Sequence, residues 1–184
     1  MRKLKLQVQI SVDGYISGKN GEMDWMSSNW DDELKKYVNE ITEPIDCIIL
    51  GRKLAQGFIP HWASNPEGED TWFIGKMNNS KKIIFTKTLD KAEWDNTVLA
   101  KGDLVDEINQ LKKQQGKDII VYGGGTFVST LIRAGLIDEF HLFVNPTALG
   151  NGMTIFKEII NLKLIKATPF SCGIVVLKYE PLRK

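Results

Sequence analysis

Three short stretches, IDCIILG (45–51), KKIIFTK (81–87) and KDIIVYGGG (117–125), each carry a continuous apolar run bounded by turn-forming or charged residues. A strand with no polar alternation has no face to give to water. Such runs belong in a parallel sheet covered by helices on both sides. Helical patterns fall between the strands, as that architecture requires. In GDLVDEINQLKKQQGK, Asp103 can cap a helix, Asp106 and Glu107 sit in its first turn, Lys112 and Lys113 near its last, and Gly116 can close it. Upstream, Asp31 or Asp32 can cap a helix whose stripe is Leu34, Tyr37, Val38 and Ile41, ended by Pro44.

The flanking segments complete the outline. Leu4, Leu6, Val8, Ile10 and Val12 alternate with Lys5, Gln7, Gln9 and Ser11, which predicts a strand with one buried face. A helix is expected from about Thr126 to Ala134, stopped by Gly135. A strand EFHLFVNP, a glycine-bearing loop ALGNGMTIF and late strands near LKLIKAT and GIVVLKYE follow. This helixless ending predicts antiparallel strands added at one edge. At 184 residues with no linker, repeat or low-complexity segment, the chain is expected to form one domain, 1–184.

Charge narrows the partners. With 24 basic against 23 acidic side chains there is no basic field to hold a nucleic-acid backbone, so a small molecule is the expected partner. The N-terminus MRKLKLQVQISVDG lacks the apolar core of a signal peptide and no stretch reaches membrane-span length, so a cytoplasmic protein is expected. Cys47 and Cys172 lack ligand or CxxC spacing and read as reduced and structural. His61 and His141 have no acidic or cysteine neighbours at ligand spacing, so no metal site is expected.

The stretch VYGGGTFVSTLIRAGLIDE (121–139) carries the chemistry. A strand that meets glycines and then a helix start presents bare backbone N–H groups at the positive end of a helix dipole, where phosphate oxygens can approach. A tight turn packed against neighbouring chain is the alternative. The spacing is neither the G-x-G-x-x-G of a Rossmann fold nor a P-loop.

The segment IIVYGGGTFVSTLIRAGLIDEFHLFVNPTALGNGMTIF resembles the C-terminal half of the dihydrofolate reductase-like superfamily, in particular the riboflavin-pathway reductase (RibD C-terminal) domain. DGYISGKNGEMDW, IILGRK and IIFTK resemble three further motifs of that superfamily, in the same order along the chain. The resemblance implies an α/β fold of three layers, with a central, mostly parallel sheet of about eight strands, an antiparallel C-terminal strand and helices on both faces. It implies an NADPH-dependent reductase of a small heterocyclic or carbonyl/imine compound, with the phosphoribosylamino-uracil reductase of riboflavin biosynthesis as nearest activity. The alternatives are a dihydrofolate or pteridine reductase, or a non-catalytic NADPH-binding protein. A homodimer, paired through the apolar GIVVLKYE edge, is also expected.

Residue by residue, the resemblance places Tyr122, Gly123, Gly124, Gly125, Thr126, Phe127 and Val128 around the cofactor diphosphate, with a cis peptide between Gly123 and Gly124. Gly51, Arg52 and Lys53 match a second phosphate turn, Thr86 and Lys87 the 2′-phosphate site, and Ile16, Ser17 and Gly18 a lid along the nicotinamide ribose. Trp25, Trp30 and Trp62 are candidate substrate-pocket residues and equally suit core packing. Asp32, then Glu33, are the candidate proton donors; both also suit helix capping and dipole complement. The riboflavin-pathway pattern has a glutamate before the paired glycines, where this chain has Tyr122. The segment GRKLAQGFIPHW also lacks the acidic-acidic-proline stretch and the downstream arginine for a substrate phosphate.

Overall fold

A computed structural model describes residues 1–182. In chain order the elements are β1 (Leu4–Ser11), α1 (Asp32–Thr42), β2 (Ile45–Gly51), α2 (Arg52–Ala63), α3 (Thr71–Asn79), β3 (Lys81–Phe85), β4 (Thr97–Ala100), α4 (Leu104–Lys113), β5 (Asp118–Tyr122), α5 (Gly125–Arg133), β6 (Glu139–Asn145), β7 (Leu162–Pro169) and β8 (Val175–Pro181). The eight strands form one sheet in the order β4-β3-β2-β5-β1-β6-β8-β7. Strands β1 to β6 run parallel to one another, and β8 pairs antiparallel with both β6 and β7.

Alternation along the buried strands divides the core into two. Cys47 and Ile49 of β2 and Ile119 and Val121 of β5 join Leu4, Leu6, Val8 and Ile10 of β1 beneath α4 and α5, through Ile108, Leu111, Val128 and Leu131. Ile48 and Leu50 of β2 and Ile120 of β5 point the other way, to Leu34, Val38 and Ile41 of α1, Ile59 of α2 and Met77 of α3. The result is three layers: α1 to α3, the sheet, then α4 and α5. A parallel strand with a helix layer on either side has no use for polar alternation.

Strand β1 departs from the expected half-exposed pattern. It lies between β5 and β6, so its polar side chains are covered as well: Lys5 and Gln7 are buried. Their cross-strand neighbours explain how. Lys5 pairs with Asp118 at 3.1 Å, and Gln9 Oε1 accepts from Asn145 Nδ2 at 2.8 Å. His141 has Glu139 two positions upstream on the same strand face. Its Nε2–H donates to Glu139 Oε1 at 2.7 Å, and its Nδ1 accepts from Tyr37 OH at 2.8 Å. Burial opposes ionisation of Glu139, yet the hydrogen bond and charge of His141 and then Lys178 outweigh it and hold the carboxyl down at about 2. Burial also keeps His141 below its ordinary value and pushes Tyr37 up to about 12. An imidazole between a phenol and a carboxylate leaves no ring nitrogen unmatched.

The expected GIVVLKYE edge is corrected too. Strand β8 is flanked on both sides, and β7 is the edge. No helix of the described residues is long and apolar enough to cross a membrane.

Candidate functional site

The starts of the five helices differ in one respect. Asp31 caps α1, accepting from Leu34 N at 2.7 Å. Asp70 caps α3 from Phe73 N at 2.9 Å, and Asp103 caps α4 from Val105 N at 2.9 Å. Helices α2 and α5 begin instead at Gly51 and Gly124, with no side-chain cap and no acidic residue in the first turn. The strands that feed them, β2 and β5, are adjacent and parallel, so both bare termini emerge side by side at the C-terminal edge of the sheet. They meet closely: a Cβ on Gly51 would stand 3.1 Å from Phe127 Cβ. The first N–H groups of a helix have no partner within it. Two uncapped termini converging on one space give that space an unmatched set of donors and the positive ends of two dipoles.

The glycine run answers to backbone conformation and open space. Gly123 and Gly124 have φ of 53° and 88°, a region that strains other residues. A Cβ on Gly123 would meet nothing within 4 Å, and one on Gly125 only Ile16 Cδ1 at 3.6 Å. The alternative of a turn packed tightly against neighbouring chain is thereby excluded. The peptide between Gly123 and Gly124 is trans, correcting the expectation of a cis bond.

A cavity of about 650 Å³ opens over these termini, and we refer to it as the glycine cavity. Gly51, Arg52, Lys53, Thr86, Lys87, Gly124, Gly125, Thr126 and Phe127 line it, together with Phe85 and Met153. Three cations, Arg52, Lys53 and Lys87, face one carboxylate, Asp103. Lys87 is held in place by the carbonyls of Lys101 and Gly102 at 2.9 and 3.2 Å. The buried Thr86 Oγ1 accepts from the amides of Thr88 and Leu89, both at 3.1 Å, and so orders the turn that carries Lys87.

The remaining residues expected here stand elsewhere. Val128 is fully buried in the core beneath α5, because the fourth residue of the helix turns its side chain back to the sheet. Its N–H is taken by Gly124 O at 2.9 Å. Ile16 abuts Gly125, while Ser17 and Gly18 lie outside the lining. The segment is strapped down by Met153: Ile16 N donates to Met153 O at 2.8 Å and Met153 N to Ser17 O at 2.9 Å. Gly152 makes this possible, since a Cβ there would overlap Ser17 O. Asp13 braces the same loop by accepting from Leu149 N at 3.0 Å and Gly150 N at 2.7 Å. The Ser11 hydroxyl and these amides keep its carboxyl at about 2.

Tyr122 faces a second cavity of about 680 Å³, under α1. Because Tyr122 and Gly124 belong to one turn, the two cavities flank the junction of β5 and α5. Gln7, Gln9, Trp30, Trp62, Phe58 and Asp32 also line it, and we refer to it as the amide cavity. Phe58 stacks on Tyr122 with ring centroids 5.3 Å apart. Asp32 reaches the lining from the first turn of α1, with Lys35 one turn on. Glu33 is exposed and outside the lining, since one residue along a helix rotates a side chain by about 100°. Trp25 is outside both cavities, its indole N–H donating to Glu22 O at 3.1 Å.

A family model, the RibD C-terminal domain, matches residues 2–176. The chain belongs to the RibD C-terminal domain family. It is 36% identical to the uncharacterised protein YyaP of Bacillus subtilis (strain 168) over 186 aligned residues, covering 97% of this chain and 95% of that one. A solved structure of a putative riboflavin biosynthesis protein from Shewanella sp. PV-4 superposes with a TM-score of 0.73 at 22% identity, covering both chains fully. The diaminohydroxyphosphoribosylaminopyrimidine deaminase/5-amino-6-(5-phosphoribosylamino)uracil reductase of Thermotoga maritima superposes with a TM-score of 0.69 at 16% identity, over 98% of this chain and 56% of that one. These two likenesses establish the dihydrofolate reductase-like fold, and the family relates the chain to the riboflavin-pathway reductase.

Within this family framework, sequence reasoning missed the polar half of the amide cavity: Gln7, Gln9, Lys35, Asn39 and His61. Two glutamines at spacing two on a strand read as solvent-facing until the strand is known to be central.

Proposed function

We propose that the protein is an NADPH-dependent reductase. The glycine cavity would hold the dinucleotide and the amide cavity the heterocyclic or carbonyl/imine acceptor. The single observation that supports this reading is the convergence of two uncapped helix starts on a cavity whose charged lining is three cations and one carboxylate. Free amides at the starts of α2 and α5 suit a diphosphate, and Arg52, Lys53 and Lys87 suit the further phosphate that distinguishes NADPH from NADH. When bound, the cofactor supplies a hydride; the protein must align it and manage one proton.

The chain's own residues serve those two tasks. Phe127 and Phe85, 5.3 Å apart between centroids, wall the glycine cavity. The Ile16–Met153 strap closes the chain against Gly125. In the amide cavity the rings of Phe58, Tyr122, Trp30 and Trp62 provide apolar surface for a flat acceptor. Of the three carboxyls in that lining, Asp32 is the one assigned to deliver a proton, itself or through an ordered water. The nearest activity in the family is that named for the Thermotoga maritima relative, reduction of 5-amino-6-(5-phosphoribosylamino)uracil. Fluorescence titration with NADPH and NADH, beside thermal melting in their presence, tests the reading. Saturable NADPH binding, tighter than NADH and raising the melting temperature, is expected. No binding and no protection at millimolar NADPH would overturn it.

A further inference from the structure

The amide cavity differs from its neighbour in the sign of its charge. Among the described residues, Asp32, Glu69 and Asp70 face a single ammonium, Lys35, and the lining has no arginine. A phosphate brought into such a lining would find carboxylates in the majority, whereas in the glycine cavity it would find cations. Asp70 is further committed to capping α3 through Phe73 N.

The floor supplies the opposite of a phosphate receptor. Gln7 is 8% exposed, and its Oε1 is buried without a hydrogen-bond partner. An unmatched buried carbonyl carries a desolvation cost that a ligand N–H would offset. Two positions along, Gln9 has given its Oε1 to Asn145, leaving its Nε2 hydrogens as donors. That asparagine is fully buried and anchored, accepting from Ser27 N at 3.0 Å and donating to Phe143 O at 3.0 Å. The floor therefore combines one fixed donor with one unsatisfied carboxamide, between aromatic walls.

We infer that the amide cavity takes an unphosphorylated, uncharged planar heterocycle bearing both a ring N–H and a ring C=O, with Gln7 as the residue that reads the N–H. This rests on the reading of the amide cavity as the acceptor site, and it departs from the phosphorylated pyrimidine named for the Thermotoga maritima relative. A phosphate-free lactam ring offers an N–H to Gln7 Oε1 and a C=O to the Gln9 amide, whereas a 5′-phosphate would bring about two negative charges into a lining that holds Asp32, Glu69 and Asp70.

The test compares uridine, guanosine and riboflavin, each with its own 5′-monophosphate. Binding to the full chain is followed by saturation-transfer NMR and calorimetry with NADP⁺ at saturation, so that the glycine cavity is filled. At least one parent compound is expected to bind, and to bind about fivefold or more tightly than its monophosphate at 0.1 M ionic strength. Gln7→Met, which keeps side-chain length and removes the carboxamide, is expected to weaken that parent about fivefold or more, with melting temperature maintained or raised. Gln7→Ala serves if the methionine variant does not fold. Binding of none of the three parents, equal or tighter binding of the monophosphates, or unchanged affinity in the Gln7 variants would overturn the inference. Titration of NADPH alone into the same proteins keeps the outcomes separate, because it reports the glycine cavity whatever the heterocycles do.

Discussion

Thr126→Asp separates anion binding from folding, because the two respond to it with opposite sign. Thr126 is exposed in the first turn of α5 and lines the glycine cavity. An acid in the first turn of a helix that has none complements the dipole and stabilises it by about 0.3–1 kcal/mol. The melting temperature should stay level or rise. A diphosphate at the mouth of the same helix would meet the new carboxylate. At about 5 Å in water-like dielectric, one unit charge against two costs roughly 1.7 kcal/mol, about a 15-fold loss of affinity at low salt. At 0.15 M the Debye length is about 8 Å, so the loss should shrink several-fold between 10 mM and 150 mM salt. The assay is NADPH fluorescence titration at several salt concentrations beside a thermal melt. A correctly folded variant that binds NADPH within twofold of the parent at low salt would refute the placement of phosphate at α5.

Three further outcomes are expected. Gly51→Ala puts a Cβ 3.1 Å from Phe127 Cβ and should lower stability by about 1–3 kcal/mol in urea unfolding; a neutral substitution would show that the two helix starts are not in contact. Lys87→Met should weaken NADPH about five- to thirtyfold while leaving NADH within twofold, if the proposed role of its ammonium in meeting the extra phosphate holds; equal losses for both would refute that assignment. Asp31 holds its carboxyl at about 2 through hydrogen bonds from Leu34 N, the Ser171 hydroxyl and Cys172 N. Because the folded value is depressed, this stabilisation is complete above about pH 4 and disappears as pH falls toward 2. The stability gap between the parent and Asp31→Ala should therefore narrow over that window in acid titrations; a gap constant from pH 6 to 2 would count against it.

The features legible in the chain were those with local causes. The α4 cap at Asp103, the α5 stop at Gly135 (φ 65°) and the parallel core strands follow from short-range stereochemistry and hydrophobic runs. The glycine turn after β5 was legible for the same reason, since left-handed φ and a missing Cβ are written into glycine itself. Strand β4, short and with Val98 exposed, and helix α3, with few periodic residues, left weaker marks.

By itself, then, the sequence determined the α/β fold class, its strand-to-helix junctions and the glycine turn, because periodicity and backbone preference act over a few residues. Strand order was decided only in three dimensions. Insertion of β1 between β5 and β6 buried Gln7 and Gln9 and made them a cavity floor, and the adjacency of β2 and β5 set Gly51 against Phe127. The same geometry left Val128 in the core, turned Tyr122 toward the amide cavity and kept Glu33 in solvent. Which cavity wall a side chain joins depends on neighbours far away in sequence, and no local pattern carries that information.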